Sequence, residues 1–325
     1  MKKNRIGIIV LNFNNWKDTI HTIKSILNAE QSSNHALLII DNNSTDSSFN
    51  ELSFFIKNNY ALKIVDEFAQ GESIDNLPTI HLIKAKNNKG YAAGNNIGFR
   101  FFMKDSQITH YWVLNNDTEL ANNVFEEADK SLTVASQQIG IWGTLLVRFY
   151  NRNLVQALGG KHITTLGKTV LYYENYPVDL ITQKEIEKTL NKVNYLIGAS
   201  LIFRREMMLL VGLFDETYFL YCEEVDFFTR LKQMGFEFNI LPNIIVYHKE
   251  GGTTLTQNKH VNSVRNTFLE YHNCRSKLIF AKKTKHFGAK ILFVVICLHL
   301  IYMYRKNIHN ALEIIQKLYK EKLYA

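Results

Sequence analysis

Between Phe219 and Arg230 the chain reads FLYCEEVDFFTR, three carboxylates (Glu223, Glu224 and Asp226) set among aromatic rings. Carboxylates beside apolar surface are costly to desolvate and are seldom placed there without a partner or a task. A general base must be an ionised carboxylate or an imidazole within reach of the proton it removes, and this stretch supplies three candidates. Glu223 and Glu224 would lie roughly 100° apart on a helix, so only one can face a given substrate. Asp226 and Arg230 stand four apart and can pair on one helix face. The plainer alternative is a helix start whose charges suit the macrodipole.

Other polar groups recur at regular places. VLNNDTEL carries Asn115, Asn116 and Asp117 directly after an apolar run. Asn and Asp are turn residues, yet a carboxylate with a neighbouring amide also suits Mg²⁺ or Mn²⁺, which prefer oxygen ligands. Asp41 ends ALLIID, where it could cap a helix or accept hydrogen bonds from a base or ribose hydroxyl. Asn12 follows the run IGIIVL. In NNKGYAAGNNIG, Gly90, Gly94 and Gly98 are spaced by four, which suits close helix–sheet packing. Asn88 and Asn95 there offer amides to a ribose or base. His248 closes IIVYH and precedes KEGGTT; a neutral imidazole is a common metal ligand, although a lone histidine is more often structural.

The elements that must position these groups follow from periodicity. Ile6–Leu11, Ala36–Ile40, Thr79–Ile83 and Tyr111–Leu114 read as strands, alternating with helical patterns that include Tyr91–Lys104. Continuous apolar strands alternating with helices predict an α/β fold, a mostly parallel sheet flanked by helices. All four polar clusters then fall at carboxyl ends of strands, where open α/β sheets bind ligands. One such cluster is a turn; four in series are a site. Further on, YLIGASLIF reads as a strand, RREMMLLVGLF as a short helix closing at Gly212, and EEVDFFTRLKQMG as a helix capped by Gly235. Phe238–Leu241 and Ile244–His248 read as strands. Residues 148–194 carry no clear pattern, and TQKEIEKTLNK reads as a surface excursion.

No GxxxxGK[ST] or GxGxxG signature occurs. Three scattered cysteines suit neither a disulfide framework nor a thiolate metal site. They favour a reducing compartment, and the short N-terminal apolar run is no signal-peptide core, so a cytoplasmic location is expected. The chain's net charge of +8 is uneven: residues 259–325 hold 13 Lys/Arg against 3 Asp/Glu, or +10, leaving −2 for residues 1–258. That tail contains ILFVVICLHLIYMY, residues 291–304. As a helix it would be about 21 Å long, short of the roughly 30 Å hydrocarbon core. Cations flank it on both sides, which suits a helix lying on or dipping into an anionic membrane surface. The competing reading is a buried helix with a basic rim. Nucleic-acid binding is not expected, because the basic residues border an apolar run.

The order LNFN (11–14), IIDNNSTD (39–46), NKGYAAGNNIG (88–98), LNND (114–117), FLYCEEVD (219–226) and YH with GGTT (247–254) resembles family 2 glycosyltransferases of the GT-A fold, nearest to rhamnosyltransferase-like members. The resemblance covers roughly residues 6–254. It implies inverting transfer of a sugar from a nucleoside-diphosphate sugar, a dTDP-rhamnose or a UDP-sugar, to a glycan or lipid-linked hydroxyl in surface-polysaccharide synthesis, with Mg²⁺ or Mn²⁺. In such enzymes the residue matching Asp41 contacts the nucleobase and Asn88–Gly90 lie along the nucleoside. Asn12, Asn95 and Asn116 join that nucleotide-facing group. Asp117 matches the metal-binding end of a DxD-like motif, with His248 as a further ligand and Asn115 as a weak one. Glu224 stands where the family usually has its catalytic aspartate, one methylene longer, so Glu223 and Asp226 remain alternatives. The implied organisation is a GT-A domain over 1–258 and a helical, membrane-associating region over 259–325, peripheral at the inner face of the cell membrane. A sugar nucleotidyltransferase would need a Gly-rich basic triphosphate loop, which LNFNNWKD is not. An inactive scaffold would have little reason to keep Asp41, Asp117, His248 and an acidic pair.

Overall fold

The computed structural model describes residues 4–29, 34–67, 74–250, 267–284 and 288–323. The apolar runs of the first half become strands β1 (Ile6–Asn12), β2 (Ala36–Asp41), β3 (Leu62–Val65), β4 (Ile80–Lys84) and β5 (His110–Asn115). All five pair in parallel, in the order β3-β4-β2-β1-β5. Between them run helices α1 (Trp16–Ala29), α2 (Ser48–Asn59) and α3 (Tyr91–Met103). β3 escaped the sequence pattern because LKIV is a short edge strand, partly exposed and without clean alternation.

The second half extends the same sheet. β6 (Thr118–Leu120), helix α4 (Val124–Val134), β7 (Ile139–Arg148), β10 (Ser200–Arg204) and β11 (Glu237–His248) give the full order β3-β4-β2-β1-β5-β10-β7-β11-β6. β10 is antiparallel to both β5 and β7, while β11 runs parallel to β7. The two strands expected at 238–241 and 244–248 are one strand with a register shift between Leu241 and Ile245, where Pro242 cannot donate to a ladder. Only Ser200–Phe203 of YLIGASLIF is strand, β10 running on to Arg204. Before it, Tyr195 bonds across to Gly160 in the hairpin of β8 (Gly159–Ile163) and β9 (Lys168–Tyr172). The supposed surface excursion contains helix α5 (Gln183–Leu190), with Ile186 and Thr189 buried.

Helices α6 (Arg205–Val211) and α7 (Glu223–Gln233) lie where their patterns place them. Phe99, Phe203, Phe214 and Phe227 meet edge to face, with centroids 5.4–5.7 Å apart, locking α3, β10 and α7 together. Beyond their buried area, such pairs contribute about 0.5–1.5 kcal/mol each.

The tail forms α8 (Thr267–Lys283), α9 (Ala289–Met303) and α10 (Ile308–Lys320). Leu278, Leu292, Ile296, Leu300, Ile314 and Leu318 make a core of their own. The tail is also docked onto the sheet domain: Ile279 and Phe280 pack against Tyr218, Cys222 and Val225, and Ser276 Oγ donates to the Leu220 carbonyl at 2.7 Å. No helix among the described residues is long and apolar enough to cross a membrane.

Phe99 is fully buried at the centre of the aromatic group. Phe99→Ala is expected to cost about 3–5 kcal/mol, measurable as a lower denaturant midpoint; an unchanged midpoint would show that α3 and α7 do not depend on this cluster.

Candidate active site

A cavity of about 410 Å³ opens at the carboxyl ends of the strands. Leu11 and Phe13 after β1, Asn42 after β2, Asn88 to Tyr91 at the start of α3, and Asn115 to Asp117 after β5 line one side; Phe219, Leu220, Phe268 and Leu269 form an apolar wall. Three of the expected nucleotide-facing residues lie under this cavity and do not line it. Asp41 is fully buried, and its carboxylate accepts from Asn12 Nδ2 (2.9 Å), Ser44 N (3.0 Å) and Ser44 Oγ (2.7 Å). Asn12 Oδ1 accepts from Thr19 Oγ1 at 2.7 Å. Asn95 Nδ2 donates to the Tyr91 carbonyl at 3.0 Å. Asn116 reaches the lining, but its amide donates to Thr19 Oγ1 at 3.0 Å and ties the loop to α1.

Asn42, next to Asp41, lines the cavity in its place. It is 3% exposed, its Nδ2 donates to Asn88 Oδ1 (3.1 Å) and Gly90 O (3.2 Å), and its Oδ1 is buried with no hydrogen-bond partner among the described residues. A buried acceptor left unpaired at a cavity wall suits a ligand donor. Its adjacency to Asp41 in DNNS was the only signal in the sequence. Gly90 is held by the opposite wall: its φ is +95°, and a Cβ there would collide with the Phe219 carbonyl. Gly94 and Gly98 instead pack on Leu11 and Ile9 of β1, which is the helix–sheet packing their spacing suggested.

Asp117 and His248 are 131 positions apart but meet through the sheet. β6 pairs antiparallel with β11, His248 opposite Thr118, and Lys249 N donates to the Asp117 carbonyl at 3.0 Å. Asp117 Oδ1 lies 3.1 Å from His248 Nε2, both side chains being less than a tenth exposed. On the far side of the ring, His248 Nδ1 is 2.9 Å from Gln156 Oε1. With that amide oxygen as acceptor, Nδ1 carries the ring proton and Nε2 turns a lone pair toward the carboxylate. The two acceptors then need a proton or a cation between them. One carboxylate and one imidazole, the latter oriented by a carbonyl-type oxygen, fit a divalent metal. Among the described residues no third His, Cys, Asp or Glu completes a cluster, so a metal here would draw its other ligands from water or a bound phosphate. Asn115 Oδ1 is turned toward the Tyr91 hydroxyl at 3.2 Å. Gln156 lies in the stretch without pattern, and nothing in the sequence marked it.

The acidic residues divide sharply. Asp226 is held by Arg230 Nε (2.8 Å) and Tyr218 OH (3.3 Å); Arg230 also binds the Val211 and Leu213 carbonyls. It is a structural strut. Glu223 and Glu224 open α7 after two consecutive left-handed residues, Tyr221 (φ 68°) and Cys222 (φ 66°), and such backbone strain gathers at functional sites. Burial, with the Glu224 charge beside it, pushes the Glu223 carboxyl well above the usual carboxylate range. Burial raises Glu224 too, but hydrogen bonds from its own N–H, from Glu223 and from the Gly198 N–H oppose that rise. Of the two, Glu223 is therefore the readier to hold a proton. Gly198 makes this arrangement fit, since a Cβ there would collide with Glu224 Oε1. The Gly198 carbonyl in turn accepts from Tyr91 OH at 3.0 Å. Burial, and after it the Glu224 charge, raise the Tyr91 phenol, which keeps it a donor. Gly251–Thr254, the GGTT segment, lies outside the described residues.

The sheet order, with its cavity at the strand ends, is that of the GT-A fold. The chain resembles the structure of GalNAc-T7 with UDP, GalNAc and Mn²⁺ (TM-score 0.60, 14% identity, covering 86% of this chain and 48% of that one). It also resembles the mannosyltransferase PcManGT of Pyrobaculum calidifontis with GDP-Man and Mn²⁺ (TM-score 0.54, 11% identity, 99% and 81% covered). At such identities the likeness is one of fold. Residues 7–208 match the profile of Glycosyl transferase family 2, and the chain belongs to that family. A 72-residue segment is 36% identical to an N-acetylglucosaminyl-diphospho-decaprenol L-rhamnosyltransferase of Mycobacterium tuberculosis, recorded alike for strains CDC 1551 / Oshkosh and ATCC 25618 / H37Rv. That alignment spans 22% of this chain and 24% of the relative.

Gly90→Ala forces both a positive φ and a clash with the Phe219 carbonyl. A loss of about 1–3 kcal/mol is expected, read as a lower thermal midpoint, whereas an unchanged midpoint would mean that the α3 start and the 219–220 wall move apart freely.

Proposed function

We propose that the protein is an inverting, metal-assisted glycosyltransferase that moves a sugar from a dTDP- or UDP-sugar to a hydroxyl of a glycan or lipid-linked acceptor in surface-polysaccharide synthesis. The observation that carries this reading is Tyr91, whose hydroxyl faces both Asn115, on the Asp117 loop, and the Gly198 carbonyl, on the peptide that seats Glu224. One side chain thus ties the diphosphate end of the site to the base. The rhamnosyltransferase relative supports the sugar and acceptor class, and the UDP and Mn²⁺ of the GalNAc-T7 structure support the donor and metal.

In this reading Asn42, Asn88 and the α3 start receive the nucleoside. Asp117 and His248 would hold Mg²⁺ or Mn²⁺, with Gln156 fixing the histidine tautomer. Bound there, the ion offsets charge developing on the leaving diphosphate. Glu224 takes the proton of the acceptor hydroxyl as that oxygen attacks the anomeric carbon from the face opposite the leaving group. Glu223 donates a hydrogen bond to Glu224 and adds no second charge.

Thermal-shift screening with UDP, dTDP and GDP, each with and without Mn²⁺, should raise the melting temperature for at least one nucleotide, most with the metal. No shift with any of them would sink the reading.

Glu224→Gln should abolish transfer and keep that nucleotide shift. Glu223→Gln, whose amide can still donate, should retain much of the rate. Transfer that survives in Glu224→Gln would place the base elsewhere. Gly198→Ala, displacing Glu224, should lower kcat by about 10²-fold with little change in nucleotide binding.

Burial raises Glu224, so the acidic limb of the rate profile should lie above the ordinary glutamate range, activity falling as the base protonates. For stability the sign is opposite to that of a salt-bridged carboxylate. Glu223 binds its proton more tightly when folded, so its contribution is full at low pH and is lost as pH rises through the raised value. Glu223→Gln should therefore stabilise the protein near neutrality and lose that advantage toward pH 4, as thermal melts across pH would show.

A further inference from the structure

The apolar run of the tail is used on one side only. In α9 the row Leu292, Ile296 and Leu300 is buried in the three-helix core. The opposite row, Ile291, Val294, Leu298 and Ile301, recurs at steps of three, four and three, and is 42–62% exposed. Tyr302, 65% exposed, extends it, with the Arg305 guanidinium 5.0 Å from its ring. Exposed apolar rows of this length mark an interaction surface.

The charges around the row identify its occupant. Lys290 precedes it and Arg305 and Lys306 follow it, all exposed. From Lys282 to Leu312 the sequence contains no Asp or Glu. A second copy seated symmetrically on this face would bring cation against cation. An anionic lipid surface offers hydrocarbon to the row and negative headgroups to both ends. Because the inner row is packed against α8 and α10, the helix can engage such a surface only side-on.

We propose that the outer face of α9 seats the protein on an anionic lipid surface, with the helix in the plane of the headgroups. Ile308 and Leu312 of α10, 45% and 47% exposed, widen the apolar area. This inference is independent of the glycosyl-transfer reading, since it concerns a different surface and needs no turnover to be tested.

The test is flotation of the full chain with vesicles of phosphatidylcholine alone or mixed with phosphatidylglycerol. Binding should favour the phosphatidylglycerol vesicles by about tenfold or more and weaken with salt. Val294→Glu with Leu298→Glu should lose about tenfold or more of that binding at an unchanged melting temperature. Should that variant melt early, Lys290→Glu with Arg305→Glu and Lys306→Glu tests the same seat from the charge side. Leu209→Glu, on an exposed apolar position of α6, should bind as the parent does. The proposal is overturned if the parent ignores phosphatidylglycerol vesicles, or if folded outer-row and charge variants both bind them as the parent does. It is equally overturned if light scattering shows a dimer without lipid that Val294→Glu with Leu298→Glu converts to a monomer.

Discussion

The antiparallel pairing of β10 against β5 is the joint on which the site depends. It sets Ser200 opposite Leu114 and Leu201 opposite Val113, and Trp112 Nε1 locks the register by donating to Ser200 Oγ at 2.9 Å. At the end of the ladder Asn115 N donates to the Ala199 carbonyl at 2.9 Å. Gly198 is thereby brought beside the loop that carries Asp117. A slip of one residue would turn every side chain of β10 to the other face and would separate the Tyr91 hydroxyl from the Gly198 carbonyl. The parallel half of the sheet supplies the polar strand ends, but this antiparallel insertion brings the acidic helix to them.

Much of the frame was legible in the sequence for a simple reason. Buried parallel strands must be continuously apolar, and the polar residues that end them are visible as breaks. Hence β1, β2, β4 and β5, the helix from Tyr91, and the closures at Gly212 and Gly235 follow from local pattern. What was not legible depends on partners far along the chain. DNNS does not say that Asp41 turns inward to Asn12 and Ser44 while Asn42 reaches the cavity. Nor does FLYCEEVD say that Asp226 is held by Arg230 and Tyr218. Gln156 sits in a segment whose order comes from β7 and the β8–β9 hairpin, so neither its place nor its orienting of His248 could be read locally. Nor does NND say that the amide of Asn116, expected to face the nucleotide, is tied to Thr19 on α1.

The acidic pair shows how environment separates two identical side chains. Both glutamates open the same helix, yet one is enclosed with an oxygen that meets no hydrogen-bond partner among the described residues, and the other meets the Gly198 N–H. The helix dipole acts on both; local hydrogen bonding divides them, making Glu223 the readier to hold a proton. A proton shared between them limits the charge buried on this pair to a single unit.

The apolar wall of the cavity has a further consequence. Phe268 and Leu269 belong to the first turn of α8, and the same helix packs on α9 lower down. The tail is therefore at once a part of the binding chamber and the carrier of the exposed row. A chain shortened before Thr267 to improve its handling would be a protein with an open-sided chamber. The chamber wall and the exposed row stand on two helices packed against each other, so a change that shifts one helix disturbs the other.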